Sequence, residues 1–312
     1  MSKGLLNKLN SHLKTFGFFH SCRKIFFTSI LKRIIDNVVS DHLYSRSSFH
    51  YLDKFYMKFR ADLSVNVPSN DVKENEFIYW TCWFNGLESA PPLVKSCINS
   101  ATNFSDGYRL IIINKNNINT YTSLPYYIIE KHNKGIIQTT HLADILRLYL
   151  LYVYGGVWFD STVLFTQKIP DNLIKQPLFF LRSPLENLFS PVSSWFIIAK
   201  RKNLILFKLL CIYLKYWQIN NKYIDYFMFH YFLQSILNNE NECSAMFNKM
   251  PYQNNQNAHY MQKKLLFNKY DPDIWETVKN ISFCHKITYK FPETFNENDN
   301  YSFYSYICDL IK

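Results

Sequence analysis

Apolar positions along the chain change period several times, and each change marks an element. From Leu5 to Val39, Leu, Phe and Ile recur at helical spacing among Lys and Arg, which predicts amphipathic helices over the first 60 residues. The polar run from Ser64 to Glu76 interrupts that pattern and reads as a connector. It divides the chain into a basic helical region over 1–70 and a folded domain over 71–312. The domain opens with "FIYWTCWF", Phe77 to Phe84, an aromatic and β-prone strand followed by a turn-rich loop. Next come a helix in "LVKSCINSATNF" and a buried strand from Tyr108 to Asn114. A short helix around Tyr126 to His132 and a short strand "GIIQ" follow.

A nearly all-apolar helix from about Thr140 to Tyr154 stops at Gly155, the usual place for a C-terminal glycine, and leads into the strand "GVWFD". Beyond Pro170, "PLFFLRS" and "SWFIIAK" predict strands, and "LILFKLLCIYLKYW" and "DYFMFHYFLQSIL" predict aromatic-rich helices. Strands alternating with helices predict an α/β fold, a mostly parallel central sheet flanked by helices, with the N-terminal helices as an extension.

Charge separates the two regions. Residues 1–70 hold 11 Lys/Arg against 4 Asp/Glu, while the whole chain has a formal net charge of +11. A basic amphipathic segment of this kind suits either an anionic membrane surface or a helical subdomain packed on the core. No zinc-finger, RRM-like or helix-turn-helix signature accompanies the charge, so nucleic acid is not an expected partner. No run reaches the roughly 20 uncharged apolar residues that a spanning helix needs; the nearest, Ile25 to Val39, is broken by Lys32, Arg33 and Asp36. Seven cysteines form no CxxC pair. With no secretory leader, the expected location is cytoplasmic, peripheral at the inner face of the membrane if the basic segment binds there.

Candidate chemistry gathers where the apolar pattern is most continuous. Thr140, Asp144 and Arg147 are spaced to share one helix face, on a helix otherwise apolar or Tyr from Leu142 to Val153. The charges therefore face either each other, as an internal ion pair, or a cavity. Asp160 falls at the carboxyl end of the next strand, the edge at which open parallel sheets bind ligands. A carboxylate there, following a glycine pair that admits close backbone approach, suits a divalent cation bridging two nucleotide phosphates.

The run "ADILRLYLLYVYGGVWFDSTV" resembles the motif of sugar-nucleotide-dependent glycosyltransferases of the GT-A fold. The group includes capsular polysaccharide synthesis proteins and is related to the DXD mannosyl- and galactosyltransferases of glycosyltransferase family 32. Further similar stretches are "IYWTCWFNGLESAPPLVKSCINS", "DYFMFHYFLQ" and "FCHKITYK", so the resemblance spans Phe77 to Lys290. It implies that Asp144 and Arg147 contact the sugar and ribose hydroxyls of the donor. Gly155 and Gly156 match the glycine pair before the metal strand and join the donor-binding set. Asp160 matches the first acid of Asp-x-Asp, and Thr162 stands where the second acid belongs.

The same resemblance places Trp80 and Trp83 at the nucleotide base, against the alternative of an aromatic core strand. It makes His285 a candidate for the late histidine of the metal site, against a structural role. Asp225 and His230 are candidates for the acceptor pocket. The activity implied is transfer of a hexose or N-acetylhexosamine from a nucleoside diphosphate sugar, UDP-linked in the first instance, with Mn²⁺ or Mg²⁺ as cofactor and anomeric configuration retained. The implied acceptor is a lipid-linked bacterial surface glycan, capsule or lipopolysaccharide. The rival reading is a catalytically inactive partner in polysaccharide assembly, which the missing second acid would suit.

Overall fold

The computed structural model describes residues 37–64, 76–184, 190–292, 295 and 301–310. Most of the basic segment from Leu5 to Val39 thus lies outside the described residues, as does most of the polar connector.

Among the described residues seven strands form two sheets. Five build the central one in the order β2 (Arg109–Ile113), β1 (Ile78–Cys82), β3 (Gly156–Phe159), β6 (Val192–Ala199) and β5 (Leu178–Arg182). β1 runs parallel to β2 and β3, whereas β6 is antiparallel to both β3 and β5. Four of the five strands therefore point one way, and only β6 is reversed. The second sheet pairs β4 (Val163–Phe165) with β7 (Cys284–Lys286), antiparallel.

The central strands are apolar on both faces because helices cover both, as a sheet of this kind requires. The helices used below are α1 (Asn37–Phe59), α2 (Pro92–Phe104), α3 (Tyr126–Asn133), α4 (Thr139–Val153), α5 (Leu204–Ile219) and α6 (Met228–Asn239). In α4, eleven of fifteen residues are buried, which explains why its sequence lacks a polar stripe. α5 is similarly apolar all round and starts at Asn203, whose side chain accepts hydrogen bonds from the Ile205 and Leu206 N–H groups.

α1 lies against α6. Leu52 and Tyr56 of α1 belong to the same buried cluster as Trp80, Leu146 and Phe232. Polar bonds fix the helix there: Tyr56 Oη donates to Glu240 at 2.8 Å, and Ser235 Oγ donates to Asp53 at 2.6 Å. Among the described residues no helix is long and apolar enough to cross a membrane.

Most predicted elements form where the pattern places them, with one exception. "GIIQ" is a turn, because Gly135 adopts φ +70° after α3 and the Ile136 and Ile137 N–H groups both return to Lys131 O. The chain has no length there for a strand before α4 begins. The small β4–β7 sheet carries only three residues per strand, too few for a period of two to be read from the sequence.

Candidate active site

The site is built at the carboxyl end of β3. Asp160 follows the strand, its N–H donating to Trp195 O at 2.8 Å, and the Val163 N–H returns to Asp160 O at 2.9 Å. This closes a tight turn through Ser161 and Thr162 into β4. Strand alternation puts Trp158 and Asp160 on one side, and Trp158 Nε1 donates to Asp160 Oδ1 at 3.2 Å.

α4 crosses behind this edge and presents Asp144 and Arg147 to it. Arg147 links the two carboxylates: Nη1 lies 3.2 Å from Asp144 Oδ1, and Nη2 lies 3.1 Å from Asp160 Oδ1. Nη1 also donates to Ser194 O at 2.7 Å, and the guanidinium sits 5.4 Å from the Trp158 ring centroid. Tyr213 of α5 donates to Asp144 Oδ2 at 3.2 Å, and His141 Nδ1 lies 3.6 Å from the same oxygen. The internal ion pair and the site-facing charge, alternatives on sequence alone, are thus both realised.

Lys286 at the end of β7 completes the cluster. Its Nζ donates to Asp160 Oδ2 at 2.9 Å and to Thr162 Oγ1 at 2.7 Å. Burial pushes the Asp160 carboxyl upward, but Lys286 and then Arg147 outweigh it and hold it below its ordinary value. Burial likewise works against the Arg147 charge, and Asp160 and Asp144 overcome it. Burial, reinforced by Asp144, raises the Tyr213 phenol well above its ordinary value. Asp160 and Arg147 therefore remain ionised together at neutral pH.

Asp144, Arg147, Asp160 and Thr162 meet here as the sequence predicts. Other candidates do not. Trp80 is fully buried and its Nε1 donates to Gly155 O at 2.9 Å. Its ring packs against Tyr121 and Tyr154, so neither face is open to a base. Trp83 lies just past β1, half-buried, with its ring against Tyr289 and its Nε1 donating to Ser89 Oγ.

Gly155 precedes β3 and Gly156 opens it, at the opposite end of the strand from Asp160, and they serve strand packing rather than a ligand. A Cβ on Gly156 would stand 2.1 Å from Ile78 O, and one on Gly155 3.0 Å from Ala199 O. His285 points away from the cluster and is fully buried, with burial pushing its imidazole down to about 4. Its neighbour Lys286 occupies the site instead. Asp225 Oδ1 accepts from the Phe227 N–H at 2.8 Å and so shapes the turn entering α6. His230 is close enough to feel Asp144 and Arg147, and burial keeps it neutral, at about 4.

The donor set does not fit a divalent cation as the sequence suggests. Asp160 Oδ1 accepts from Arg147 and Trp158, and both Asp160 Oδ2 and Thr162 Oγ1 accept from Lys286. No second carboxylate reaches the turn, and no group of three or more His, Cys, Asp or Glu suited to a metal occurs among the described residues. A divalent ion would have to displace an ammonium and sit beside a guanidinium.

Sequence reasoning missed Lys286 and Tyr226. The exposed Tyr226 ring lies 6.5 Å from the ring of His141, which borders Asp144, and so sits beside the cluster. Its adjacency to Asp225 in the candidate acceptor segment was the one available signal.

The charged cluster thus lies at the carboxyl ends of parallel strands in an α/β sheet, the edge at which open sheets of this class bind ligands. The family described as capsular polysaccharide synthesis protein matches residues 32–307, and the chain belongs to that family. The match reaches beyond the Phe77 to Lys290 of the motif resemblance and takes in α1.

Two curated relatives are fungal. The O-glycosyltransferase PaGT of Phomopsis amygdali is 28% identical over 118 residues, 35% of this chain and 28% of its own. The O-glycosyltransferase braB of Annulohypoxylon truncatum is 26% identical over 159 residues, 44% of this chain and 37% of its own. The chain thus spans about a third of the length of these relatives. A solved structure, PaToxG glycosyltransferase, is similar with a TM-score of 0.40 and 14% identity, over 67% of this chain and 83% of its own.

Proposed function

We propose that the protein is a glycosyltransferase that moves a hexose or N-acetylhexosamine from a nucleoside diphosphate, UDP in the first instance, to an acceptor hydroxyl. The observation that carries this reading is the convergence of Asp144, Arg147, Asp160 and Lys286 at the carboxyl edge of the parallel strands. The family match supports it, as does the O-glycosyltransferase naming of both curated relatives.

In this reading Asp144 accepts from sugar hydroxyls, and Trp83, at the same edge, stacks on the base. In the reaction the bond from sugar C1 to the diphosphate oxygen breaks, and the nucleoside diphosphate leaves with the electron pair. The acceptor oxygen bonds to C1, and its proton passes to the departing phosphate in a front-face displacement that retains configuration. No protein nucleophile is required, and stabilisation of the leaving diphosphate is then the main contribution of the site. Tyr226 and neutral His230 border the acceptor side. A surface polysaccharide acceptor, lipid-linked and met at the inner face of a membrane, follows the family name and the basic residues before position 70.

A panel of UDP- and GDP-sugars, assayed for hydrolysis and for transfer to simple glycosides, tests the reading. Asp160→Asn should lower turnover about 100-fold, because it frees both cations from their shared anchor. The reading fails if no nucleotide sugar is bound or turned over. A chain that binds donor without turning it over is instead the inactive assembly partner that Thr162 in the second acid position would suit.

A further inference from the structure

We propose that Lys286 is a built-in cation that meets the donor diphosphate in the position where the Asp-x-Asp resemblance implies a divalent metal, so that this chain binds nucleotide without metal. The inference deepens the glycosyltransferase reading and rests on it.

Three observations carry it. First, the position of Lys286 is set by the fold and not by a flexible loop. β7 pairs with β4 so that Lys286 stands opposite Val163, and the Ile287 N–H donates to Thr162 O at 3.0 Å. The ammonium is therefore delivered to the turn that holds Asp160 and Thr162. Second, the residue that departs from Asp-x-Asp is one of its two partners. Thr162 Oγ1 accepts from Lys286 at 2.7 Å, whereas an acid at this position would draw the ammonium into a second ion pair. A hydroxyl holds it without neutralising it.

Third, Lys286 is the more accessible of the two cations and keeps a donor free, whereas the unpartnered Nε of Arg147 is buried. An ammonium has three donors, and two are taken, by Asp160 Oδ2 and Thr162 Oγ1. Arg147 spends Nη1 on Asp144 and Ser194 O and Nη2 on Asp160, and its side chain is only 6% exposed, against 19% for Lys286 and 28% for Asp160. An entering diphosphate meets Lys286 first. Asp160 is then a positioning residue, aiming Lys286 from one side and Arg147 from the other. With Asp144, the four side chains form a neutral set. A divalent cation added to that set would face two fixed positive charges, while a diphosphate would find one of them available.

The test is calorimetric binding of UDP, with GDP in parallel, to the full chain in EDTA and in Mn²⁺. Binding in EDTA should match that in Mn²⁺ to within about threefold, and Lys286→Met should weaken it about 10- to 100-fold, the worth of one charge-assisted hydrogen bond. Lys286→Arg should restore most of the loss, which a purely structural role would not predict. Nucleotide binding that needs Mn²⁺ overturns the inference and leaves the glycosyltransferase reading standing. So does a folded Lys286→Met that binds as tightly as the parent. Failure of both nucleotides to bind in either condition overturns the inference together with the donor reading. The EDTA comparison on the unaltered chain decides even if Lys286→Met does not fold.

Discussion

Arg147→Met should destabilise the protein by about 3–5 kcal/mol, because it strips a buried cation from between two carboxylates, leaving Asp144 without its guanidinium and Asp160 with Lys286 alone. Arg147 is 5% exposed, and its guanidinium bridges Asp144, Asp160 and Ser194 O, so no solvent is at hand to replace it. The substitution keeps the length and apolar stem of the side chain, which limits the cavity and isolates the charge. Donor binding should fall as well, since Asp160 loses one of the two cations that hold it.

A double substitution separates these effects. Asp144→Asn in the same chain removes the charge left without its guanidinium, so Asp144→Asn with Arg147→Met should be more stable than Arg147→Met alone, while donor binding stays low. Chemical denaturation read alongside UDP titration checks both. A loss below about 1 kcal/mol for Arg147→Met would mean that the cluster behaves as an exposed ion pair and not as a dry one.

Gly156→Ala should be the most damaging glycine-to-alanine change among the described residues. Gly156 adopts φ +102°, and its added Cβ would stand 2.1 Å from Ile78 O, in the backbone of the adjacent strand. Neither partner can yield without breaking the parallel pairing of Tyr79 with Val157. A cost of about 3 kcal/mol or more is expected, from overpacking and a disfavoured backbone together. Gly155→Ala, whose Cβ would meet Ala199 O and Arg201 N at 3.0 Å, should be milder. Thermal or denaturant midpoints of the two variants test the order. If Gly156→Ala instead leaves stability intact and weakens donor binding, the glycine pair belongs to the ligand after all.

The glycine pair and the two tryptophans show where sequence reading reaches its limit. Their residue types suit a nucleotide site, yet the same types suit close strand packing, and only their position along β1 and β3 decides between the two. Trp80 hides its indole in the core by donating to Gly155 O, a partner 75 residues away that no local pattern reveals. His285 and Lys286 make the same point in opposite senses. A strand turns adjacent residues to opposite faces, so the choice between them depends on the register of β7 against β4, and three-residue strands leave no periodic trace. The antiparallel direction of β6 was equally hidden, because its apolar run looks the same in either direction.

By itself the sequence determined the α/β alternation, the buried helix from about Thr140 to Tyr154, the shared helix face of Asp144 and Arg147 and the place of Asp160 at a strand's carboxyl end, because these follow from local periods of 3.6 and 2 and from short connections. The tertiary structure alone decided that Lys286 closes the cluster, that Asp160 is held by two cations and that the glycines serve packing. Those outcomes depend on contacts between separate elements, such as Lys286 with Asp160, 126 residues apart, where burial and strand register, and not local preference, select which side chain meets which.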